Sequence, residues 1–91
     1  MRNNGSGNGS PSESDDVLRG TTLRIYRFMY REGRPLGLHE IQRALGLSSA
    51  SIPQYHINKL IKAGLVKEDE GGSGYYVDRL VFENMIRIRN L

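Results

Sequence analysis

The stretch from Leu38 to Val66 constrains what this chain can fold into more than any other. It reads as an apolar-periodic helix, then Ala44-Leu45-Gly46, a turn of Leu47 and two serines, a Ser-headed helix, and finally Leu60-x3-Gly64-Leu65-Val66. In the earlier helix, residues 36–45, Leu38, Ile41 and Leu45 recur at helical spacing and are expected to turn inward. Gly46 follows where the chain must turn sharply, at a φ that most residues resist. Ala44 reads as a small side chain that lets the two helices approach closely. Ser48 or Ser49 is expected to accept the orphan N–H groups that open the later helix. Proline is tolerated in a first turn but not in a helix interior, so Pro53 sets the regular helix to start near Ser51. Gly64 stops it after about Ala63.

The flanking segments complete an order of helix, helix, helix, hairpin, helix. A first helix is expected from about Asp16 to Glu32, capped by Asp15 or Asp16. Thr22, Ile25, Tyr26, Met29 and Tyr30 lie on one of its faces, and Leu18 extends that face by a turn. Gly33 ends it and Pro35 prevents resumption. Arg24, Arg27 and Arg31 share another face, which is either a solvated outer face or a phosphate contact. Leu65–Asp69 and Tyr75–Val77 read as strands around the flexible turn Glu70-Gly71-Gly72-Ser73-Gly74. Of the alternating Tyr75 and Tyr76, one is expected to pack and the other to face outward. Two strands alone are marginal in water, so the hairpin must lie on the helices, giving a small α+β domain.

The last helix is expected over roughly Asp78 to Asn90. Val81, Phe82, Met85 and Ile88 form one stripe, widened by Leu80 and Ile86. A stripe that wide must bury more than one side. Packing on the first helix takes part of it. The surplus fits a homodimer through the first and last helices, a protein partner, or the juxtamembrane end of a truncated membrane protein, with Arg87 and Arg89 at the boundary.

The helix after the serine turn separates into two faces. Ile52, Ile57, Leu60 and Ile61 are expected inward. Ser51, Gln54, Tyr55, Asn58, Lys59 and Lys62 fall at i, i+3, i+4, i+7, i+8 and i+11, a neutral-polar and basic stripe with no carboxylate. Gln and Asn bond adenine edges in bidentate fashion, Ser serves either base, and Lys reaches phosphate or guanine. Gln54, Ser51 and Tyr55 are therefore assigned to bases, and Lys59 and Lys62 to backbone. The competing reading is an ordinary solvated helix face.

On HEIQRALGLSS, SIPQYHINKLIKAGLV, a short Gly-rich loop and YYV, residues 17–78 resemble winged helix-turn-helix regulators of the ArsR and MarR-like type from archaea and bacteria. The likeness covers about two-thirds of the chain. It implies a three-helix core, a two-stranded wing hairpin and a C-terminal helix. It also implies that Ser49–Lys62 is a recognition helix entering the major groove of duplex DNA, and that the tip Gly71, Gly72, Ser73 and Gly74 is the wing. The function implied is transcriptional regulation. Three features depart from that pattern. Glu68, Asp69 and Glu70 precede the wing tip where a phosphate-reaching wing carries Arg or Lys. Pro53 loosens the start of the recognition helix. The metal-sensing clusters of some such regulators have no counterpart here.

Composition narrows the rest. The 91 residues leave room for one domain. With no Cys and only His39 and His56, neither a disulfide framework nor a metal site is expected, and no cofactor motif is present. The glycines of the turn lack a following helix and so make no phosphate loop. No nucleophile is paired with a base, so an enzyme is not expected. His56 reads as a packed or phosphate-facing residue, and His39 as a surface one. Residues 1–16, rich in Asn, Gly and Ser, read as a disordered tail. That tail holds Arg2 against Glu13, Asp15 and Asp16, a net of −2, which leaves +5 on residues 17–91 from 12 basic and 7 acidic groups. A basic folded part suits a polyanion. No apolar run reaches the roughly 18 residues of a membrane span, and no secretory h-region is seen, so a cytoplasmic location is expected.

Overall fold

The computed structural model describes residues 17–89, with side chains described to Met85. The expected tail, the Asp15 or Asp16 cap, Asn90 at the end of the last helix, and the side chains of Ile86 and Ile88 lie outside what is described. The elements are α1 (Gly20–Glu32), α2 (Leu38–Leu45), α3 (Ser51–Lys62), β1 (Val66–Glu68), β2 (Tyr75–Val77) and α4 (Arg79–Arg89). The described residues form a small α+β domain of four helices and a two-stranded antiparallel hairpin.

α1 begins four residues later than Asp16, the expected start. Arg19 is extended and Gly20 has a φ of +55°, so the chain bends there before the helix runs. The expected face is otherwise found: Thr22, Ile25, Tyr26 and Met29 are buried. Gly33 closes α1 at a φ of +65°, and its N–H donates to the Met29 carbonyl 3.1 Å away.

A second correction concerns Leu36. The sequence places it in the second helix, but α2 starts at Leu38 and Leu36 is extended. Leu36 and Tyr75 exchange both backbone hydrogen bonds, each 2.8 Å. A single-residue bridge thus flanks β2 on the side away from β1, whose register pairs Val66 with Val77 and Glu68 with Tyr75. Pairing carries no 3.6-residue period, which is why periodicity absorbs Leu36 into the helix.

The core gathers Ile25 and Met29 of α1, Leu36, Ile41 of α2, Ile57 and Leu60 of α3, and Leu65 and Val66, all at most 1% exposed. Each such side chain contributes about 1.5–3 kcal/mol of transfer free energy. α3 is central: it packs on α1, α2 and β1, while β2 lies on α1. Tyr75 packs against the core as a half-buried residue, while Tyr76 lines a surface groove.

α4 is capped by Asp78, whose Oδ1 accepts the Leu80 and Val81 N–H groups at 3.1 and 3.3 Å. Those bonds, led by Val81, together with Lys67 at 3.3 Å, hold the Asp78 carboxyl below its ordinary pKa. Val81, Phe82 and Met85 pack on the core, with the Phe82 ring 4.1 Å from that of Tyr30 and 6.2 Å from that of Tyr26. Leu80 points away from it, 73% exposed.

Beneath Phe82 the Tyr26 hydroxyl is buried with no hydrogen-bond partner among the described residues. Burial, with Asp78 and Tyr30 adding smaller effects, pushes its pKa up to about 12. An unmet buried hydroxyl carries a desolvation cost of about 1–3 kcal/mol. Tyr26→Phe deletes that oxygen and keeps the ring, so thermal melts are expected to show a higher melting temperature than the parent. A lower one would mean the hydroxyl has a partner worth keeping.

Candidate nucleic-acid interface

α3 is held by its inner side. Pro53, Ile57 and Leu60 are buried, so the opposite side is presented outward. Ser51, Gln54, Tyr55, Asn58 and Lys62 are exposed, while Ser49 and Lys59 are half-buried. Five of the seven residues singled out on this segment thus share one solvent-facing surface. Asp and Glu are absent from it, and its basic residues, Lys59 and Lys62, lie in the last turn of α3.

The turn that sets α3 against α2 rests on Gly46, in the left-handed region at a φ of +67°. The Leu47 N–H donates to the Gln42 carbonyl at 2.9 Å, and the Arg24 guanidinium donates to the Leu45 carbonyl at 3.1 Å. Arg24 therefore has a structural task at the end of α2, while Arg27 and Arg31 are exposed.

Three expectations about this region are corrected. Ala44 is exposed rather than packed between helices, and Ile41 is the residue that α2 buries. Neither Ser48 nor Ser49 caps α3: Ala50 occupies the cap position with helical dihedrals and no side-chain bond. The Ser49 hydroxyl lies 2.8 Å from that of Ser51 instead. Ile61, assigned inward, is 37% exposed beside the outer stripe. Helical spacing leaves the edge of an apolar stripe ambiguous by one residue, and burial at Pro53 rotates the stripe away from Ile61.

Side chains on the outer face of α3 also constrain one another. The Lys59 ammonium sits over the Tyr55 ring, 5.1 Å from its centroid, and His56 meets that ring edge-on at 5.1 Å and 80°. Tyr55, 61% exposed, is therefore flanked on two sides. Lys59 is drawn along the helix surface toward Tyr55, as the i, i+4 spacing of the two residues allows.

His56 ties α3 to α1 through a 2.6 Å hydrogen bond between its Nδ1 and the hydroxyl of the buried Thr22. Burial first, and the Lys59 charge second, hold the imidazole below its ordinary pKa of 6.5. The folded chain then binds fewer protons than the unfolded chain near that pH. This part of the stability is complete above about pH 6.5 and is lost as pH falls toward the folded pKa. Melting temperatures are expected to fall from about pH 7 to about pH 5, with a shallower slope in His56→Gln. Identical slopes would remove His56 as the cause.

The hairpin loop is organised by an acidic residue. Asp69 Oδ2 accepts the N–H groups of Gly71 and Ser73 at 3.1 and 3.3 Å, and the Asp69 N–H donates to the Gly74 carbonyl at 2.7 Å. Gly71, Gly72 and Ser73 are exposed at the tip. Gly74 is different: its φ is +126°, and a Cβ there would collide with the Leu36 carbonyl and stand 2.9 Å from the Gly37 nitrogen. Gly74 therefore seats the hairpin on Leu36.

A separate open groove of about 560 Å³ lies between the end of α1, the hairpin and the start of α4. Its cations are engaged within the protein. Arg34 bonds Glu40 at 2.6 Å and Glu32 at 3.1 Å, Lys67 pairs with Asp78, and Arg79 lies 4.3 Å over the Tyr30 ring. None of α3 lines it. Among the described residues there is no cluster of three or more His, Asp or Glu fit to hold a metal ion, and no helix long and apolar enough to cross a membrane.

No family model, curated protein or solved structure matches the chain.

Proposed function

We propose that this domain is a winged helix-turn-helix that lays α3 in the major groove of duplex DNA, and that it regulates transcription in the archaeal or bacterial cytoplasm. The observation that carries the reading is the outer face of α3: Ser51, Gln54, Tyr55, Asn58 and Lys62 exposed together on a helix anchored by Pro53, Ile57 and Leu60. Amide and hydroxyl groups on a rigid helix suit base edges, and a terminal lysine suits phosphate. A face without carboxylates does not repel the duplex. The element order of three helices, a hairpin and a further helix agrees with that architecture. The hairpin tip adds close backbone approach at Gly71 and Gly72, with no basic side chain of its own.

An NMR titration with random duplex DNA at low and moderate salt tests this. Shifts are expected within Ser49 to Lys62 and are expected to fade with salt, because binding releases counterions from the duplex. Lys62→Ala is expected to weaken binding to every duplex alike and to flatten the salt slope by about one unit. Absence of shifts at low salt would refute the reading.

A second reading is favoured by one observation, the exposure of Leu80 beside the groove. It makes the domain a protein-interaction module or a homodimer joined through α1 and α4. No shifts with DNA at low salt, together with a dimer's mass in solution that Leu80→Ala lowers, would select the homodimer.

A further inference from the structure

We infer that α3 selects A·T base pairs, with Gln54 and Asn58 on adenine edges and Tyr55 and Ile61 on thymine methyl groups. This rests on the groove-binding reading above and says what that helix reads. At 3.6 residues per turn, Ile61, Gln54, Asn58, Ser51, Lys62 and Tyr55 follow one another around about a third of the helix circumference. The order places the two amides and Ser51 in the middle and one apolar side chain near each margin. The exposure of Ile61, 37%, and of Tyr55, 61%, makes both margins available.

The major groove presents four distinguishable patterns, and the contents of this face meet only some of them. Guanine is read most often by Arg, and α3 contains none. Lys59, the first of the two lysines, has its ammonium over the Tyr55 ring. Lys62, in the last turn, is the lysine that the groove-binding reading assigns to phosphate. Cytosine offers an amino donor that Asp or Glu accepts, and this face holds neither. Adenine pairs a donor and an acceptor side by side, which is the complement of a Gln or Asn amide. Thymine adds a methyl group, which needs an apolar partner. Ser51 bonds either base and takes no side. Tyr55 is flanked by Lys59 and His56, so its ring is pre-positioned and little freedom is lost on contact.

The test is competition among three short duplexes that share length and flanks. One has an A·T core, the second replaces each thymine of that core with uracil, and the third has an inosine·cytosine core. Uracil deletes only the methyl groups. Inosine lacks the minor-groove amino group of guanine, so an inosine·cytosine pair resembles A·T in the minor groove and G·C in the major groove. The A·T core is expected to bind at least about tenfold tighter than the inosine·cytosine core, as one good bidentate contact provides. The uracil core is expected to fall between them.

Gln54→Ala and Asn58→Ala are expected to erase the preference for A·T over inosine·cytosine. Ile61→Ala and Tyr55→Ala are expected to erase that for thymine over uracil. All four side chains are exposed, and melts of each variant establish that it is folded. Equal affinity for all three duplexes, with a steep salt dependence retained, would overturn A·T selection and leave groove binding standing. No binding to any duplex at low salt would overturn both.

Discussion

Gly74→Ala is expected to lower the melting temperature by about 10 °C or more. Two costs combine. Gly74 sits at a φ of +126°, where an L side chain is strained by about 1–3 kcal/mol whatever the space. The space is also missing, because the new Cβ would meet the Leu36 carbonyl and the Gly37 nitrogen. Both contacts are backbone, so no side chain can swing aside. Relief requires Leu36 and Tyr75 to part, and their two 2.8 Å hydrogen bonds are worth about 0.5–1.5 kcal/mol each. Together these come to about 2–6 kcal/mol, a large share of the stability of a domain this size. Gly72→Ala is the control: it also has a positive φ, +81°, but its Cβ would meet nothing within 4 Å. It is expected to cost only the conformational strain. Thermal melts showing equal losses at the two positions would mean that the Leu36 contact is not what seats the hairpin.

Leu60→Ala is expected to cost about 2–5 kcal/mol in urea denaturation, by lost burial and by the cavity left behind. Leu60 is 0% exposed in the helix that touches α1, α2 and β1, so none of the three can close the gap alone. Its carbonyl also accepts the Leu65 N–H at 2.9 Å as the chain leaves α3 for the hairpin. The neighbouring Ile61→Ala removes a similar side chain and is expected to cost less than about 1 kcal/mol, because Ile61 is 37% exposed. Comparable losses at the two positions would show that Ile61 is packed inward, which would also withdraw it from any role on the outer face.

The two neighbours illustrate how far the chain was legible from its residues. Periodicity places both inward, since each falls within a stripe about one residue wider than the face α3 buries. The outer stripe itself survived because it needs only the relative order of residues around one helix. Ser51, Gln54, Tyr55, Asn58 and Lys62 do emerge together on the exposed side. Lys59 belongs to the same stripe by spacing, yet its ammonium rests over Tyr55. The serine cap failed for a related reason. Ser49 is within reach of the helix start, but its hydroxyl lies beside that of Ser51.

What the sequence by itself determined is local. Gly33 and Gly46 end α1 and α2 in left-handed conformations, and Gly64, with a φ of +79°, closes the turn after α3. The order of helices and hairpin, the inward faces of α1 and α2, and the Gly-rich loop between the strands were likewise legible, because each follows from residues within a turn or two of one another. Tertiary structure decided the rest. It drew Leu36 out of α2 to pair with Tyr75, seated Gly74 against the Leu36 backbone, exposed Ala44, and joined Thr22 to His56 across α1 and α3. The Leu36–Tyr75, Gly74–Leu36 and Thr22–His56 contacts each depend on segments far apart in sequence meeting. A spacing rule describes one helix or strand at a time and carries no information about which other backbone will lie against it.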